Sequence, residues 1–375
     1  MAGIYIHVPF CRKKCVYCDF YSVGEGKMDN HFADWVLKEL KLRSNYISDK
    51  TIKTIYFGGG TPSLLPASDI QKIISGIAEY FSIDPHTEIT IEVNPDDITL
   101  KVAEEYRNIG INRVSIGVQS FNDNELIFLG RRHNVESSIE AIRAFKGIGI
   151  SNISIDLIYG LPNSTLKSWE HSLQMAFEMG IQHLSCYHLT YEDGTPLTRK
   201  VTKGSVKPLD EVGSIAQFDL LREMANNNGF VHYEISNLSK PGYISRHNSG
   251  YWLGEEYLGL GPSAHSYNKM MRWWNPPSIR EWEKSIHQGT EVLNKENIDE
   301  LTRFNELLIT RLRTMWGVNL NDVANGFNNE ISIYLRNKIH PFILSGKIVM
   351  ENDKIFIPPQ HYFISDSIVT ELLMV

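Results

Sequence analysis

Short apolar runs alternate with segments of helical spacing over the first 190 residues, and this alternation limits the fold more than any other feature. The runs cover residues 3–7, 52–57, 87–93, 113–118, 153–159 and 183–189. Between them, apolar residues recur three and four positions apart, as on one face of a helix. Repeated strand–helix units imply right-handed crossovers and a parallel sheet. The sequence therefore predicts an α/β protein, and six such units favour an open or partial (β/α) barrel over a flat sheet.

Three of the predicted helices end at the same dipeptide. Gly110-Ile111, Gly149-Ile150 and Gly180-Ile181 each precede a predicted strand by a few residues. Glycine accepts the left-handed conformation that ends a helix, and the next apolar residue packs back on the last turn. Another helix is expected to begin at Ser68, because Gln71 follows three residues later as in a capping box.

The pattern changes after about residue 200, and we divide the chain into three parts. Residues 1–235 form the predicted barrel, which includes a helix over about 210–228. Residues 236–298 are rich in Gly, Tyr, Trp and Asn and are expected to be an irregular linking region. In residues 299–375, two helices precede a hairpin that turns at Asn352-Asp353, which predicts a small α+β domain resembling a winged helix.

Charge and hydropathy exclude several classes of protein. The 375 residues contain 37 Lys and Arg against 44 Asp and Glu, and residues 301–375 contain seven of each sign. A winged helix that reads DNA needs a basic surface, so we expect no nucleic-acid partner. No apolar run approaches the roughly 18 residues of a membrane span, and neither a signal peptide nor a stable membrane anchor is evident. We expect a cytoplasmic protein.

Three of the four cysteines lie close together near the start of the chain. Cys11, Cys15 and Cys18 occupy the spacing C-x3-C-x2-C. Three thiolates suit an iron–sulfur cluster, and a four-iron cluster then keeps one iron without a protein ligand. Such an open iron can bind a small molecule, as the open position of a catalytic zinc site does.

Two other interpretations of these cysteines stay open from the residues alone. One is a zinc site with His7 or Cys186 as the fourth ligand, although structural zinc normally uses paired C-x2-C spacings. The other is a set of unligated core cysteines. Cys186 itself lies within a predicted strand and is expected to be a small core residue.

The cysteine spacing, with Tyr17 just before the last cysteine, resembles the signature of the radical S-adenosylmethionine (SAM) superfamily. The segment from Tyr5 to Cys11, YIHVPFC, is similar more specifically to the anaerobic coproporphyrinogen III oxidase family. The resemblance extends from about residue 3 to 267 and includes the C-terminal unit. It implies a partial (β/α) barrel in which Cys11, Cys15 and Cys18 hold a [4Fe–4S] cluster whose open iron binds SAM.

Polar or glycine-rich groups at the ends of the predicted strands agree with this resemblance, because functional groups of such barrels lie at the carboxyl ends of strands. The resemblance implies SAM contacts for a set of residues from the strand ends and the loops beside them: Tyr5, Tyr17, Gly59, Gly60, Thr61, Glu92, Gln119, Arg131, Asp156 and His265. For Gly59 and Gly60 a tight turn is the alternative, for Arg131 an ion pair, and for Tyr5 and Tyr17 ordinary core packing.

The chain departs from the oxidase at one position. The oxidase has a fourth cysteine two residues after the third, and Phe20 stands there in this chain. The sequence resembles instead the HemW branch of heme chaperones, which keeps the three-cysteine motif. The motif H-N-x-x-Y-W supports that branch, and the resemblance implies heme contacts for His247, Asn248, Tyr251 and Trp252.

A neutral imidazole can ligate heme iron, and Tyr and Trp rings can stack on a porphyrin face. The alternative for His247 is a buried histidine that only packs and hydrogen-bonds. The predicted function is therefore binding of heme and its transfer to an unidentified acceptor protein, with a cluster and SAM as cofactors. The rival is oxidative decarboxylation of coproporphyrinogen III, so whether the chain is an enzyme stays undecided.

Overall fold

A twelve-stranded sheet with seven adjacent parallel strands forms the body of the protein. The structure is a computed structural model that describes residues 2–24, 31–289 and 294–375. The first and last strands of the sheet are not paired with each other, so the parallel strands form a partial (β/α) barrel. The predicted fold class is confirmed.

The strands have the following bounds: β1 Ala2–Val8, β2 Phe10–Cys11, β3 Val23–Gly24, β4 Thr51–Gly59, β5 Ser82–Val93, β6 Arg113–Gln119, β7 Asn152–Tyr159, β8 His183–His188, β9 Val231–Glu234, β10 Asn237–Ser239, β11 Glu256–Leu260, β12 His265–Tyr267, β13 Met271–Trp274, β14 Asn294–Asn297, β15 Val318–Asn319, β16 Val349–Glu351 and β17 Lys354–Phe356. The helices are α1 Phe32–Arg43, α2 Ala67–Tyr80, α3 Leu100–Asn108, α4 Asp123–Leu129, α5 Val135–Gly147, α6 Leu166–Glu178, α7 Pro196–Thr202, α8 Glu211–Asn227, α9 Arg246–Trp252, α10 Ile279–His287, α11 Glu300–Arg311, α12 Leu320–Gly326, α13 Asn329–Leu344 and α14 Ser365–Leu372.

All six predicted strands are present, but the prediction that residues 236–298 are irregular is wrong for most of that segment. It contains α9, α10 and strands β10 to β14, while residues 290–293 lie outside the described part. The strand order is β14-β13-β12-β11-β1-β4-β5-β6-β7-β8-β10-β9. Strand β11 pairs with β1 in parallel and is the seventh parallel strand, contributed from about 250 residues further along the chain.

The parallel strands are apolar on one face and polar on the other. In β4, Ile55 and Phe57 are fully buried in the apolar core beneath the helices. The alternate residues Thr54 and Tyr56 hydrogen-bond to side chains of the opposite, inner face. Because successive side chains of a strand point to opposite faces, the same alternation continues along the neighbouring strands and fills the barrel with polar groups.

The predicted helix ends are confirmed at the three Gly-Ile pairs, where the glycines have φ values of 94°, 83° and 61°. Ile111 N–H donates to Tyr106 C=O and Gly110 N–H to Arg107 C=O, which is the Schellman pattern. The predicted capping box at Ser68 is wrong. Helix α2 begins one residue earlier after Pro66, whose fixed φ suits a helix entry without a side-chain cap.

The C-terminal unit has the predicted hairpin, but three helices, α11, α12 and α13, precede it instead of two. A further strand completes a three-stranded sheet in the order β15-β17-β16. Asn352 and Asp353 both have positive φ, as a type I′ turn requires. The unit contacts the barrel through Met315 N–H, which donates to Tyr233 C=O. Among the described residues, no helix has the length and hydropathy needed to cross a membrane.

Candidate cluster and cofactor site

The three cysteines lie in the loop that leaves β1, at the carboxyl end of the barrel, and each sulfur accepts a hydrogen bond. Thr61 Oγ1 donates to Cys11 Sγ at 3.4 Å, and Arg131 NH1 donates to Cys15 Sγ at 3.3 Å. The backbone N–H of Phe20 donates to Cys18. All three thiols are partly exposed. Three sulfurs on one loop, each with a hydrogen-bond donor beside it, fit an iron–sulfur cluster, while burial raises the pKa of the Cys18 thiol.

The zinc alternative does not fit this geometry. Among residues 2–24, 31–289 and 294–375, no three His, Cys, Asp or Glu side chains converge closely enough to hold a single metal ion. His7 is buried, with Nδ1 bonded to Tyr5 Oη at 3.1 Å and Nε2 to Tyr21 C=O at 3.0 Å. Cys186 is only 2% exposed in the apolar core, as expected. A four-iron cluster needs no such convergence, because each thiolate binds a different corner.

Arg131 connects the cysteine loop to the neighbouring strand ends. Its NH2 donates to Asn94 Oδ1 at 2.6 Å and to Gly117 C=O at 2.9 Å, while Asn94 Nδ2 donates to Thr61 Oγ1 at 3.2 Å. Gln119 lies beside this group, since a Cβ on Gly117 would be 3.1 Å from Gln119 Nε2 and 3.2 Å from Arg131 NH2. Gln119 has a φ of 69°, an unusual conformation for a non-glycine residue that is often found at functional sites.

Glu92 lies at the end of β5 with both carboxylate oxygens engaged. Tyr56 Oη donates to Oε1 at 2.8 Å, and the backbone N–H of Gly59 donates to Oε2 at 3.1 Å. Burial raises the pKa of Glu92 to about 7, against the lowering effect of the Tyr56 hydrogen bond. Gly59 has φ of 105°, and a Cβ there would lie 2.6 Å from the His7 ring, so only glycine brings this N–H to Glu92.

Asp156 lies on the same inner face, two strands from Glu92. Ser115 Oγ donates to Asp156 Oδ1 at 3.1 Å, and Ser185 also hydrogen-bonds this carboxylate. Burial raises the pKa of Asp156. Tyr187 lies beside it on β8 and is still 44% exposed. Asp156 and Glu92 are themselves only partly buried, so each keeps some solvent-accessible surface at this end of the barrel.

The remaining predicted SAM residues differ in how closely they join this group. Tyr17 hydrogen-bonds to Cys15, and Tyr5 bonds to His7 on the inner face. Gly60 lies where a Cβ would be 2.7 Å from Phe10 C=O, so its backbone packs directly on the cysteine loop. His265 is exposed on β12 and stacks on Trp274 at 5.7 Å between ring centroids.

The H-N-x-x-Y-W motif lies at the opposite, amino end of the barrel, on the short helix α9. His247 is 4% exposed. Its Nδ1 bonds to Thr54 Oγ1 and its Nε2 to Tyr251 Oη, both at 2.8 Å. Burial, assisted by the positive charge of Arg113, lowers the pKa of His247 to about 3. In this conformation the imidazole is neutral and both of its nitrogens are occupied.

Of the other motif residues, Tyr251 borders a very small cavity beside His247, and Asn248 and Trp252 do not line it. Asn248, Tyr251 and Trp252 are partly buried, and Arg313 of the C-terminal unit lies 5.8 Å from the Trp252 ring centroid. The cavity beside His247 and Tyr251 has a volume of about 10 Å³. That volume holds at most one water molecule, whereas sites for small organic ligands typically measure about 300 Å³ or more. The structure therefore brings the four motif residues together without a space for a porphyrin.

Several residues of the site escaped the sequence reasoning. Asn94 and Tyr56 contact predicted SAM residues directly, and Arg113 places a buried positive charge near Glu92 and Asp156. A signal was available for Tyr56, because Thr54, Tyr56 and Gly58 alternate with buried apolar residues along β4. No comparable signal exists for Asn94, whose role depends on a contact with Arg131 across 37 positions.

Comparison with known proteins agrees with this geometry. The family model of the radical SAM superfamily matches residues 5–176. The heme chaperone HemW of Synechocystis is 36% identical over 323 residues, which cover 84% of this chain and 78% of that protein. The chain belongs to the HemW family. HemW of Escherichia coli is also 36% identical, over 269 residues covering 70% of this chain and 69% of the relative.

A solved structure supports the same fold at lower sequence identity. Coproporphyrinogen III oxidase (HemN) of Escherichia coli, a radical SAM enzyme, superposes with a TM-score of 0.85 at 20% identity. The match covers 100% of this chain and 90% of the oxidase. The C-terminal unit is therefore included in the shared fold of this HemW-family chain.

Proposed function

We propose that this HemW-family chain is a heme chaperone that binds heme and transfers it to an acceptor protein. The observation that carries the proposal is the 36% identity over 84% of the chain with a protein named heme chaperone HemW. Phe20 adds to it, because it stands at the position of the oxidase's fourth cysteine and exposes 68% of its side chain beside the cysteine loop. The cytoplasmic location expected from the sequence belongs to this proposal.

Cys11, Cys15 and Cys18 would hold a [4Fe–4S] cluster, and SAM would bind at its open iron. The cluster supplies one-electron chemistry and a coordination site when it is bound. Arg131 supports Cys15 and also donates to Asn94, so it links the cluster loop to the end of β5. Glu92 and Asp156 would offer carboxylate oxygens as acceptors to the ribose hydroxyls and the adenine edge of SAM.

Heme contact at His247, Asn248, Tyr251 and Trp252 requires α9 to move, because the present cavity is too small. Two interactions with the C-terminal unit restrain that movement. Arg311 NH2 donates to Leu253 C=O at the end of α9, and Arg313 lies against Trp252.

Of the basic residues in the cysteine loop, Arg12 pairs with Asp97 at 3.2 Å, which anchors the loop to the end of β5.

The proposal is tested under anaerobic conditions on the full chain with a reconstituted cluster. The protein receives SAM, a reductant and coproporphyrinogen III, and protoporphyrinogen and 5′-deoxyadenosine are quantified together. The same preparation is then titrated with heme and followed by visible absorbance. We expect no porphyrin product and a saturable heme spectrum that His247→Ala weakens. Transfer is measured by mixing heme-loaded protein with an apo-hemoprotein.

Each part of this test can contradict the proposal. Stoichiometric formation of protoporphyrinogen would establish the decarboxylase in place of the chaperone. Heme binding that does not saturate would remove the chaperone function altogether. An equal heme spectrum in His247→Ala would leave heme binding intact but move it away from the motif on α9.

A further inference from the structure

The ring of His247 lies directly against a tyrosine that belongs to the opposite end of the barrel. The imidazole stacks on Tyr56 with 4.9 Å between ring centroids and 23° between planes. Tyr5 lies beside Tyr56 on the neighbouring strand β1, with its ring centroid 6.3 Å from that of His247 and 6.1 Å from that of Tyr56. The motif on α9 therefore lies against two tyrosines that are three positions from the carboxyl ends of β1 and β4.

Tyr56 contacts both the His247 ring and the carboxylate of Glu92. Its hydroxyl donates to Glu92 Oε1, and the second carboxylate oxygen is held by Gly59 N–H. These two donors fix the orientation of the carboxylate that the sequence assigns to SAM. Without the Tyr56 hydroxyl only the backbone donor remains, and the side chain gains rotational freedom about its last bonds.

His247 itself is held from several sides. Besides the bonds of its ring nitrogens to Thr54 and Tyr251, its backbone N–H donates to Glu88 Oε1 at 3.1 Å. Gly3 leaves the necessary space, since a Cβ there would lie 2.7 Å from Thr54 Oγ1 and 3.3 Å from His247 Nδ1. Strands β1, β4 and β5 and helix α9 therefore hold the His247 ring in one position. This is more support than a side chain that moves to bind a ligand requires.

We propose that His247 is a positioning residue of the SAM site, which acts through the ring of Tyr56 on the carboxylate of Glu92. The inference rests on the SAM site of the proposed function and does not depend on heme. His247 therefore has a role in the conformation that the structure shows, in which its ring is buried and a porphyrin does not reach it.

The experiment measures SAM affinity by anaerobic equilibrium dialysis of the full chain with a reconstituted cluster. The variants are His247→Ala, Tyr56→Phe and the double variant, and each is checked for an intact fold by thermal unfolding. The loss of one hydrogen bond to a carboxylate predicts SAM binding about five- to tenfold weaker in each single variant. The double variant should bind SAM no more weakly than the weaker of the two single variants, because both changes interrupt the same contact from His247 through Tyr56 to Glu92.

A second buried histidine offers a matched control. His183 Nε2 bonds to Tyr233 Oη at 2.8 Å, as His247 Nε2 bonds to Tyr251 Oη. Tyr233→Phe removes a hydroxyl from an equally buried histidine that does not stack on Tyr56, and SAM affinity should stay within about twofold. The spectroscopic readout is the change that SAM causes in the electron paramagnetic resonance signal of the reduced cluster, which His247→Ala should diminish and Tyr233→Phe should preserve.

The outcomes separate the inference from the function on which it rests. Unchanged SAM affinity in a folded His247→Ala variant overturns the inference, and so do additive losses in the double variant. Failure of the unchanged protein to bind SAM overturns the SAM site and the inference together. If His247→Ala does not fold, His247→Leu takes its place, because leucine is an aliphatic side chain of similar volume. SAM binding should again be about five- to tenfold weaker than in the unchanged protein.

Discussion

Both ends of the barrel contain titratable side chains, and the two ends differ in how far these side chains are buried. At the carboxyl end, Glu92, Asp156 and the three cysteines are partly exposed. At the amino end, His183 and His247 are buried, and each has both ring nitrogens bonded within the protein. Burial lowers the pKa of both histidines.

The comparison shows that membership of a motif and availability to a ligand are separate properties. His247 belongs to a motif associated with heme, and no motif marks His183. Their surroundings are nevertheless alike, with one strand hydroxyl and one tyrosine hydroxyl on each ring. The two histidines differ in the ring that each contacts on the side of the carboxyl end. His247 stacks on Tyr56, which hydrogen-bonds to Glu92, and His183 does not contact Tyr56.

The largest expected effect concerns the exposed thiols of the carboxyl end. Cys15→Ala should abolish the cluster, because two thiolates do not hold a four-iron cluster stably, and SAM binding should be lost with it. Iron and sulfide content after reconstitution measure the first effect. Cys186→Ala is the control, since this buried cysteine should cost about 1 kcal/mol of stability and leave the iron content unchanged. Full iron content in Cys15→Ala would contradict the assignment.

An intermediate effect is expected at the filled amino end. Gly3→Ala places a methyl group 2.7 Å from Thr54 Oγ1, so the free energy of unfolding should fall by about 2 kcal/mol. Urea unfolding measures it. Gly147→Ala, at the end of α5 with no atom within 4 Å of the added Cβ, should be neutral or slightly stabilising. Equal stability of the two variants would show that the amino end is loosely packed.

The smallest effect is a difference in pH dependence at the carboxyl end. Burial raises the pKa of Glu92 from 4.5 to about 7, so the folded state holds this proton more tightly than the unfolded state. This group therefore lowers stability as pH rises from about 4.5 to 7. Glu92→Gln should be more stable than the unchanged protein at pH 8 and equal to it at pH 4. Urea unfolding of cluster-free protein checks this, and a constant difference across pH would refute it.

The parallel strands were predictable because each is a local pattern of apolar residues followed by a helix-ending glycine. Strand β11 was not predictable in the same way. It is five residues long, contains Gly259, and gains its stability from pairing with β1 across about 250 positions. The Ser68 capping box failed for a different, local reason, because Pro66 already favours a helix start at Ala67, one residue earlier.

In the site, the cysteines could be identified from spacing because a cluster ligated from one loop is a local feature. The placement of Arg131 next to Cys15 and Asn94 could not be predicted, because it joins three loops that are separate in the sequence. The four motif residues do lie together on α9, and their predicted heme contact stays a prediction. The sequence left open whether His247 is buried, since exposure depends on what packs above a helix, and the structure places its ring against Tyr5 and Tyr56.

The sequence by itself determined the alternation of strands and helices, the cysteine triad and the family to which the chain belongs. Each of these depends on residues that are close together in the sequence: a hydrophobic period, a cysteine spacing or a run of matching residues. Only the tertiary structure decided that His247 is buried against Tyr56 while Glu92 stays partly exposed. That decision follows from burial, because the same imidazole or carboxylate is a ligand or a support according to which of its atoms the surrounding strands already occupy.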